Sequence, residues 1–348
     1  MSGFFGYVQL RPGRYRERFG LAFEEFAPGQ VFAHRPGVDF AQQDNAEEAL
    51  DTLNNAQLHY DSRYAAASEW RRPLGVSTLT LQRLLGMTSR TFYRRRRFLG
   101  FDEIAMTRPV YGGDTLYART RVAAVEEGDA ETGRVSLATE GLNQRGEILA
   151  RLRYRAEIYR SGRHPEDAGQ GAVAEEERFR LYHEGEDGAL VEQSGLAFEE
   201  FVEGETFEHW PGKAISAAES RRHALRSLEL NPRYADPLYA RAVLGRPPDL
   251  FEPFVLGAVT ALTTRTFGRV AANLGWKDVV LPRPVEPDET IRAVSTILAK
   301  RESASRPREG ILSVDTIALG ADDAPVCRFQ RTLLVYKRGL GPYDDAGY

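Results

Sequence analysis

The chain repeats itself, and this constrains its fold more than any other feature. Residues 20–37 read GLAFEEFAPGQVFAHRPG and residues 195–212 read GLAFEEFVEGETFEHWPG, with twelve of eighteen letters identical at an offset of 175. The offset holds without a gap through Asp61, Tyr64 and Ala65 against Asp236, Tyr239 and Ala240. It continues through Arg90-Thr91-Phe92 against Arg265-Thr266-Phe267, and Arg108-Pro109-Val110 against Arg283-Pro284-Val285. Near the end it becomes 177, where Tyr159 meets Tyr336, so two residues have entered a late loop of the second copy. Two units of this length are too few and too long for a solenoid, and each is domain-sized. The expected organisation is a first domain over 18–160, a polar Gly/Glu-rich linker over 161–193 and a second domain over 194–340.

Composition narrows the class. With 42% hydrophobic and 28% charged residues, 348 residues suffice for two cores of ordinary globular type. A net charge of −4 gives no electrostatic case for nucleic acid. The single cysteine, Cys327, excludes an internal disulfide framework and a Cys-rich metal site, and fits a reducing cytoplasm. The first twenty residues lack a signal-peptide core, and no apolar run is long enough to span a membrane. The expectation is a cytoplasmic protein with no membrane partner and no metal. P-loop, dinucleotide-loop, HExxH and nucleophile-elbow patterns are absent.

Within each copy a short Phe-rich segment leads through turn residues to a helix. In the first copy Asp44 followed by Glu47 reads as a capping box, with Ala46, Ala49, Leu50 and Leu53 forming one apolar face. Asp61 and Asp236-Pro237 read as starts of a second short helix. LGVSTLTLQRLLGM and FEPFVLGAVTALTT predict a buried central helix in each copy. Strands follow. In LARLRYRAEIY, Ala150, Leu152, Tyr154, Ala156 and Ile158 alternate with three arginines and a glutamate, which is a half-buried strand. CRFQRTLLVY takes the same part in the second copy. The order predicts an α+β fold, an antiparallel sheet wrapped around a central helix. It resembles the hot-dog fold, here doubled in one chain.

The segment after the first helix carries a more specific resemblance. TLNNAQLHYDSRYA is similar to the signature of MaoC-like dehydratases and R-specific enoyl-CoA hydratases, Asp-x-Asn-Pro-Leu/Ile-His. Asn54 stands on the signature Asp, Ala56 on the Asn, Gln57 on the Pro and His59 on the His. In the second copy Glu229, Asn231 and Pro232 keep the pattern, but Tyr234 replaces the His. DNAEEALDTLNNAQLHYD follows more closely the branch with mesaconyl-CoA and itaconyl-CoA hydratases, where Asn already replaces the Asp; its matching positions are Asp44, Asn45, Leu53, Asn54, Leu58, His59 and Asp61. RRPLGVSTLTL, LGFDEIAMTRPVYGGDTLYA and KRESASRPREGI look like that branch too.

The resemblance implies a hydro-lyase that adds or removes water across Cα=Cβ of an acyl-CoA thioester, branched or dicarboxylic, with no metal or redox cofactor. His59 is then the base, because imidazole titrates near neutrality. Asn54 can orient water but cannot take its proton. The thioester oxygen would be held by backbone N–H groups of Gly75, Val76 and Ser77, where the central helix begins. Arg90, Arg94 and Arg265 are candidate contacts to substrate anions. Asp61 and Asp236 read as helix caps, His34 and His209 as strand packing residues, and Glu229 as a relic. The Arg94–Arg97 run reads first as a solvated face. Two rival readings stand beside this one. In the first, the run docks an acidic acyl carrier protein and the substrate is carrier-bound. In the second, the protein is a non-catalytic acyl-thioester-binding module. The acyl chain, the stereochemistry, the direction of reaction and further homodimerisation stay open.

Overall fold

Alternating burial builds most of the molecule. Residues 3–167, 171–343 and 345–347 are described in the computed structural model. The chain opens with β1 (Tyr7–Arg11) and β2 (Arg14–Glu17), and the first copy then holds β3 (Val31–Asp39), α1 (Gln42–Asp51), α2 (Ser62–Ala67), α3 (Ser77–Met87), β4 (Arg95–Met106), β5 (Thr115–Glu126), β6 (Thr132–Leu142) and β7 (Ile148–Tyr159). There follow β8 (Ala172–Val173), β9 (Tyr182–Glu184), β10 (Leu190–Glu192), β11 (Thr206–Ala214), α4 (Ala217–Arg226), α5 (Pro237–Tyr239), α6 (Glu252–Leu262), β12 (Val270–Val280), β13 (Thr290–Glu302), β14 (Glu309–Leu319) and β15 (Pro325–Tyr336). The central helices α3 and α6 and the strands β7 and β15 fall where the sequence places them.

Two sheets result, in the orders β4-β7-β6-β5-β3-β10-β9 and β12-β15-β14-β13-β11-β2-β1-β8. Each wraps one central helix in a double hot-dog arrangement. On α3, Leu84 joins Phe32, Ala118, Leu137 and Leu152 in one core, while Val76 and Leu79 meet Phe40, Leu116 and Leu149 in another. On α6, Val255, Ala258 and Val259 pack on Ile291, Ala293, Ala318 and Phe329. The duplicated Phe-Glu-Glu turn lies over a glycine in both copies. A Cβ at Gly133 would fall 2.3 Å from the Phe23 ring, and one at Gly310 the same distance from Phe198. Among the described residues no helix is long and apolar enough to cross a membrane.

The segment expected as a linker, 161–193, holds strands. β9 and β10 form a hairpin, and β10 runs parallel to β3 of the first copy through Leu190–Phe32 and Val191–Ala33. The N-terminal hairpin β1–β2 pairs in the same way with β11 of the second copy. The hairpin before each copy therefore completes the sheet of the other. Charge and polarity in 161–193 mask this, because the strands are only three residues long and their turn is polar.

Each exchange is locked at its centre by a buried histidine. His34 Nδ1 lies 2.9 Å from Glu192 Oε1, and Thr91 donates to the same oxygen at 2.6 Å. The Arg35 N–H donates to Oε2 at 3.1 Å, and Tyr182 meets Thr91 at 2.8 Å. In the mirror lock His209 Nδ1 lies 3.1 Å from Glu17, Thr266 donates to Glu17 at 2.7 Å, and Tyr7 meets Thr266 at 3.0 Å. His34 and His209 are thus more than packing residues. They join the two halves.

Candidate functional site

Helix α1 ends at a left-handed residue, Leu53 (φ 57°), and the chain turns back through Asn54 to a single turn at Gln57–His59. Asn45, fully buried on α1, lies under this turn. Its Nδ2 donates to the carbonyls of His59 and Leu74, each at 3.0 Å, and its Oδ1 accepts from the Val76 N–H at 2.6 Å. Gln42 adds a second donor to the His59 carbonyl at 2.8 Å. This bonding fixes the rotation of α1. Asn45 and Ala49 face inward while Leu50 and Leu53 are exposed, so the apolar face expected from spacing is not the buried one. The helix also starts earlier than the capping box implied. Ala41 is the N-cap, and Asp44 sits in the first turn and pairs with Arg83 of α3.

His59 is half-buried, and its Nδ1 lies 2.8 Å from the Leu74 carbonyl. A carbonyl only accepts, so Nδ1 carries the hydrogen and the neutral ring presents its lone pair at Nε2. Nε2 has no hydrogen-bond partner among the described residues. Leu74 stands just before the start of α3, which brings His59 to the mouth of that helix.

The three backbone donors expected there are not equivalent. The Gly75 N–H donates to the Val110 carbonyl at 2.8 Å, and the Val76 N–H is held by Asn45. Both are committed internally, which corrects the expectation for these two residues. Ser77 opens α3, Val76 gives it no side-chain cap, and the N–H groups of Ser77 and Thr78 have no acceptor among the described residues. The open donors and the positive end of the helix dipole therefore begin at Ser77.

Asn54 is half-buried on the same loop. Its Oδ1 accepts from the Ala56 N–H at 3.0 Å, while Nδ2 has no partner among the described residues. Glu229 makes the same turn bond in the second copy, to the Asn231 N–H at 2.7 Å. The shared duty of this position is to form the turn, so Glu229 has a structural role. Asp61 and Asp236 are caps, accepting from Arg63 and Tyr64, and from Leu238 and Tyr239.

The equivalent place in the second copy is closed by side chains. Tyr234, on the position of His59, donates to Glu252 at 2.6 Å, and its hydroxyl is pushed up to about 12 by burial and by that carboxylate. Arg233 bonds Asp249 through Nε at 2.8 Å, and Arg246 joins the same carboxylate. Ser220 replaces Asn45 and accepts from the Phe251 N–H, at 2.7 Å.

None of the three candidate substrate arginines lies at the start of α3. Arg94 is buried in a two-pronged pair with Asp167, both contacts 2.6 Å, and it holds that carboxyl below the usual range although burial pushes it up. This is a structural bond, which corrects the substrate-binding expectation. Arg90 and Arg265 each close the turn that follows a central helix. At 1.5 Å per residue, Arg90 lies about 20 Å from Ser77. The rest of the basic run is also spent locally. Arg95 lies over the Phe98 ring, Arg96 faces Asp129 and Glu131, and Arg97 bonds Glu157. Among the described residues no group of three or more His, Cys, Asp or Glu side chains is arranged to hold a metal.

Sequence reasoning passed over the residue that organises the site. Asn45 was part of the matched pattern without a role. The available signal was a polar residue, Asn45, beside the apolar positions Ala46 and Ala49 of an amphipathic helix, replaced by Ser220 in the copy that lacks the histidine.

The sequence profile of the mesaconyl-CoA hydratase family matches residues 10–189 and again residues 181–345. Mesaconyl-CoA hydratases of Haloarcula hispanica and Haloarcula marismortui are each 30% identical to the chain over 173 residues, covering 46% of this chain and 48% of the relative. The match thus spans about half the length of these curated relatives. Among solved structures, a Mycobacterium tuberculosis protein described as having a double hot-dog fold covers 94% of this chain and 100% of its own, at 19% identity and a TM-score of 0.38. The (R)-hydratase of A. caviae involved in PHA biosynthesis covers 39% of this chain and 98% of its own, at 20% identity and a TM-score of 0.34.

Proposed function

Because this chain belongs to the mesaconyl-CoA hydratase family, we propose that it is a hydro-lyase acting on an enoyl-CoA thioester, with its reaction centre in the first copy. One observation carries the reading. His59 is held by a backbone carbonyl in the tautomer whose Nε2 lone pair is free, at the open start of α3. In hydration, Nε2 takes a proton from water as the water oxygen bonds to Cβ. The Cα=Cβ electrons move toward the thioester carbonyl, and the oxygen's charge is met by the Ser77 and Thr78 N–H groups and the helix dipole. The imidazolium then returns the proton to Cα, so the histidine ends as it began. Dehydration runs the same steps in reverse.

Asn54 supports the water rather than the proton. Its Oδ1 is engaged with the Ala56 N–H, which leaves the carboxamide N–H groups to donate to the water oxygen. The second copy has a structural part in this reading, since Tyr234 stays protonated at neutral pH and donates to Glu252. The substrate is a branched, unsaturated dicarboxylic acyl-CoA such as mesaconyl-CoA, a choice supported by the names of the relatives. The protein works without a resident metal or redox group, since each proton in these steps has a donor and an acceptor. A panel of enoyl-CoA and 3-hydroxyacyl-CoA thioesters, read by mass for gain or loss of water, tests this. Turnover of mesaconyl-CoA above straight-chain enoyl-CoA is expected. Turnover of carrier-bound thioesters alone would overturn the CoA assignment, and no turnover of any thioester would overturn the enzyme reading.

A further inference from the structure

The seam between the two copies contains a cavity of about 40 Å³, lined in part by Tyr7, Glu17, Phe19, Gln193 and the repeat-equivalent pair Arg90 and Arg265. By the usual measure this is room for roughly three waters, or for one tetrahedral oxyanion. The charges around it are unequal in their commitments. Arg18 is paired with Glu25, Arg178 with Glu205 and Arg180 with Glu177. Glu17 spends both oxygens on His209, Thr266 and the Trp210 N–H, and Glu200 spends its own on Arg338 and the Ala197 N–H.

Two guanidiniums are left over. Arg265 gives one hydrogen bond, to the Trp210 carbonyl at 2.7 Å, and lies over the Phe19 ring at 4.1 Å. The Arg90 side chain has no hydrogen bond or ion pair with any described residue. Desolvation and the neighbouring Arg90 hold Arg265 below the usual arginine range, against the opposing pull of Glu17. Arg90 is half-buried and Arg265 is exposed, and two like charges that line one cavity with unused donors can be joined by an anion.

We propose that this cavity binds one phosphate-like oxyanion, clamped from opposite sides by Arg90 and Arg265, so that the anion bridges the two halves of the chain. The chemistry is that of a phosphate, supplied either free or as the terminal phosphomonoester of coenzyme A. The site is distinct from the reaction centre and does not depend on its assignment. An anion held there adds a bond between the copies beside the two histidine locks, so it stabilises their union.

Thermal unfolding of the full chain with increasing inorganic phosphate, against sodium chloride of equal ionic strength, tests the proposal. A saturable rise in midpoint with phosphate is expected, together with binding of one phosphate per chain by calorimetry. Arg90→Gln and Arg265→Gln should each weaken binding by roughly tenfold or more. Phenylglyoxal labelling of the unaltered protein, mapped by mass spectrometry, needs no variant, and phosphate should protect both arginines. The absence of a saturable shift, an equal shift in both variants, or labelling that phosphate does not change would overturn the site. Competition with coenzyme A and 3′-dephospho-coenzyme A separates the sources. Displacement of phosphate by coenzyme A alone assigns the phosphomonoester, and displacement by neither assigns free phosphate.

Discussion

Replacing Asn45 by serine should separate the positioning of His59 from the integrity of α3. Asn45 makes three strong contacts, two donated to the His59 and Leu74 carbonyls and one accepted from the Val76 N–H. Serine can keep the last, as Ser220 does with Phe251 in the second copy, but it cannot reach both carbonyls. Neither carbonyl is orphaned, because Gln42 still serves His59 and the His59 ring still serves Leu74. Two net hydrogen bonds of about 1 kcal/mol each are therefore lost, toward the low end, giving about 1–2 kcal/mol. Asn45→Ala also leaves the buried Val76 N–H without an acceptor, which adds about 1–3 kcal/mol. Urea unfolding of both variants gives the stabilities, and initial rates of enoyl-CoA hydration give kcat and KM. Asn45→Ser should stay folded and lose roughly tenfold or more in kcat, since the turn carrying His59 is released. An Asn45→Ser protein with full kcat, or one as unstable as Asn45→Ala, would refute the reasoning.

Other outcomes follow from the same geometry. Arg94→Ala breaks a buried bidentate pair and should cost roughly 3 kcal/mol of stability with KM unchanged, by thermal unfolding and steady-state kinetics. Burial pushes the Glu192 carboxyl up, but His34, Arg90 and Thr91 together hold it below its ordinary value. A depressed folded-state pKa means that this stability is present above the ordinary glutamate value, near pH 4.3, and is lost as pH falls below it through the depressed value. Glu192→Gln should therefore flatten the acid limb of a stability–pH curve and lower stability at neutral pH. Tyr234→Phe should leave kcat unchanged in the same hydration assay, since the second copy supplies no base.

The repeat made most of the fold legible. Twelve matching letters in eighteen fixed two like domains, and strict alternation in 150–158 fixed a sheet strand and its buried face. The exchange of hairpins was harder to read, because strands of three to five residues carry little periodicity. Its trace was nonetheless present. Tyr7, Gly13 and Glu17 stand at the same offset from Tyr182, Gly188 and Glu192, so the duplication extends upstream of Gly20 to Tyr7. The resemblance to a hydratase signature singled out His59 and Asn54, but not the bonds that position them. Those bonds join α1, the His59 turn and the residues before α3, and the Asn45–Val76 contact spans 31 positions. Which backbone N–H groups remain free at Gly75, Val76 and Ser77 is likewise a matter of tertiary contacts, with Val110 and with Asn45.

The central claim is that His59 alone moves the proton, in the first copy only. Single-turnover hydration of mesaconyl-CoA by His59→Gln, with circular dichroism to verify the fold, tests it most directly. A loss of about 10²–10⁴ in rate is predicted for removal of the base, with substrate affinity nearly unchanged. A folded His59→Gln protein that hydrates the thioester at the unaltered rate would contradict it.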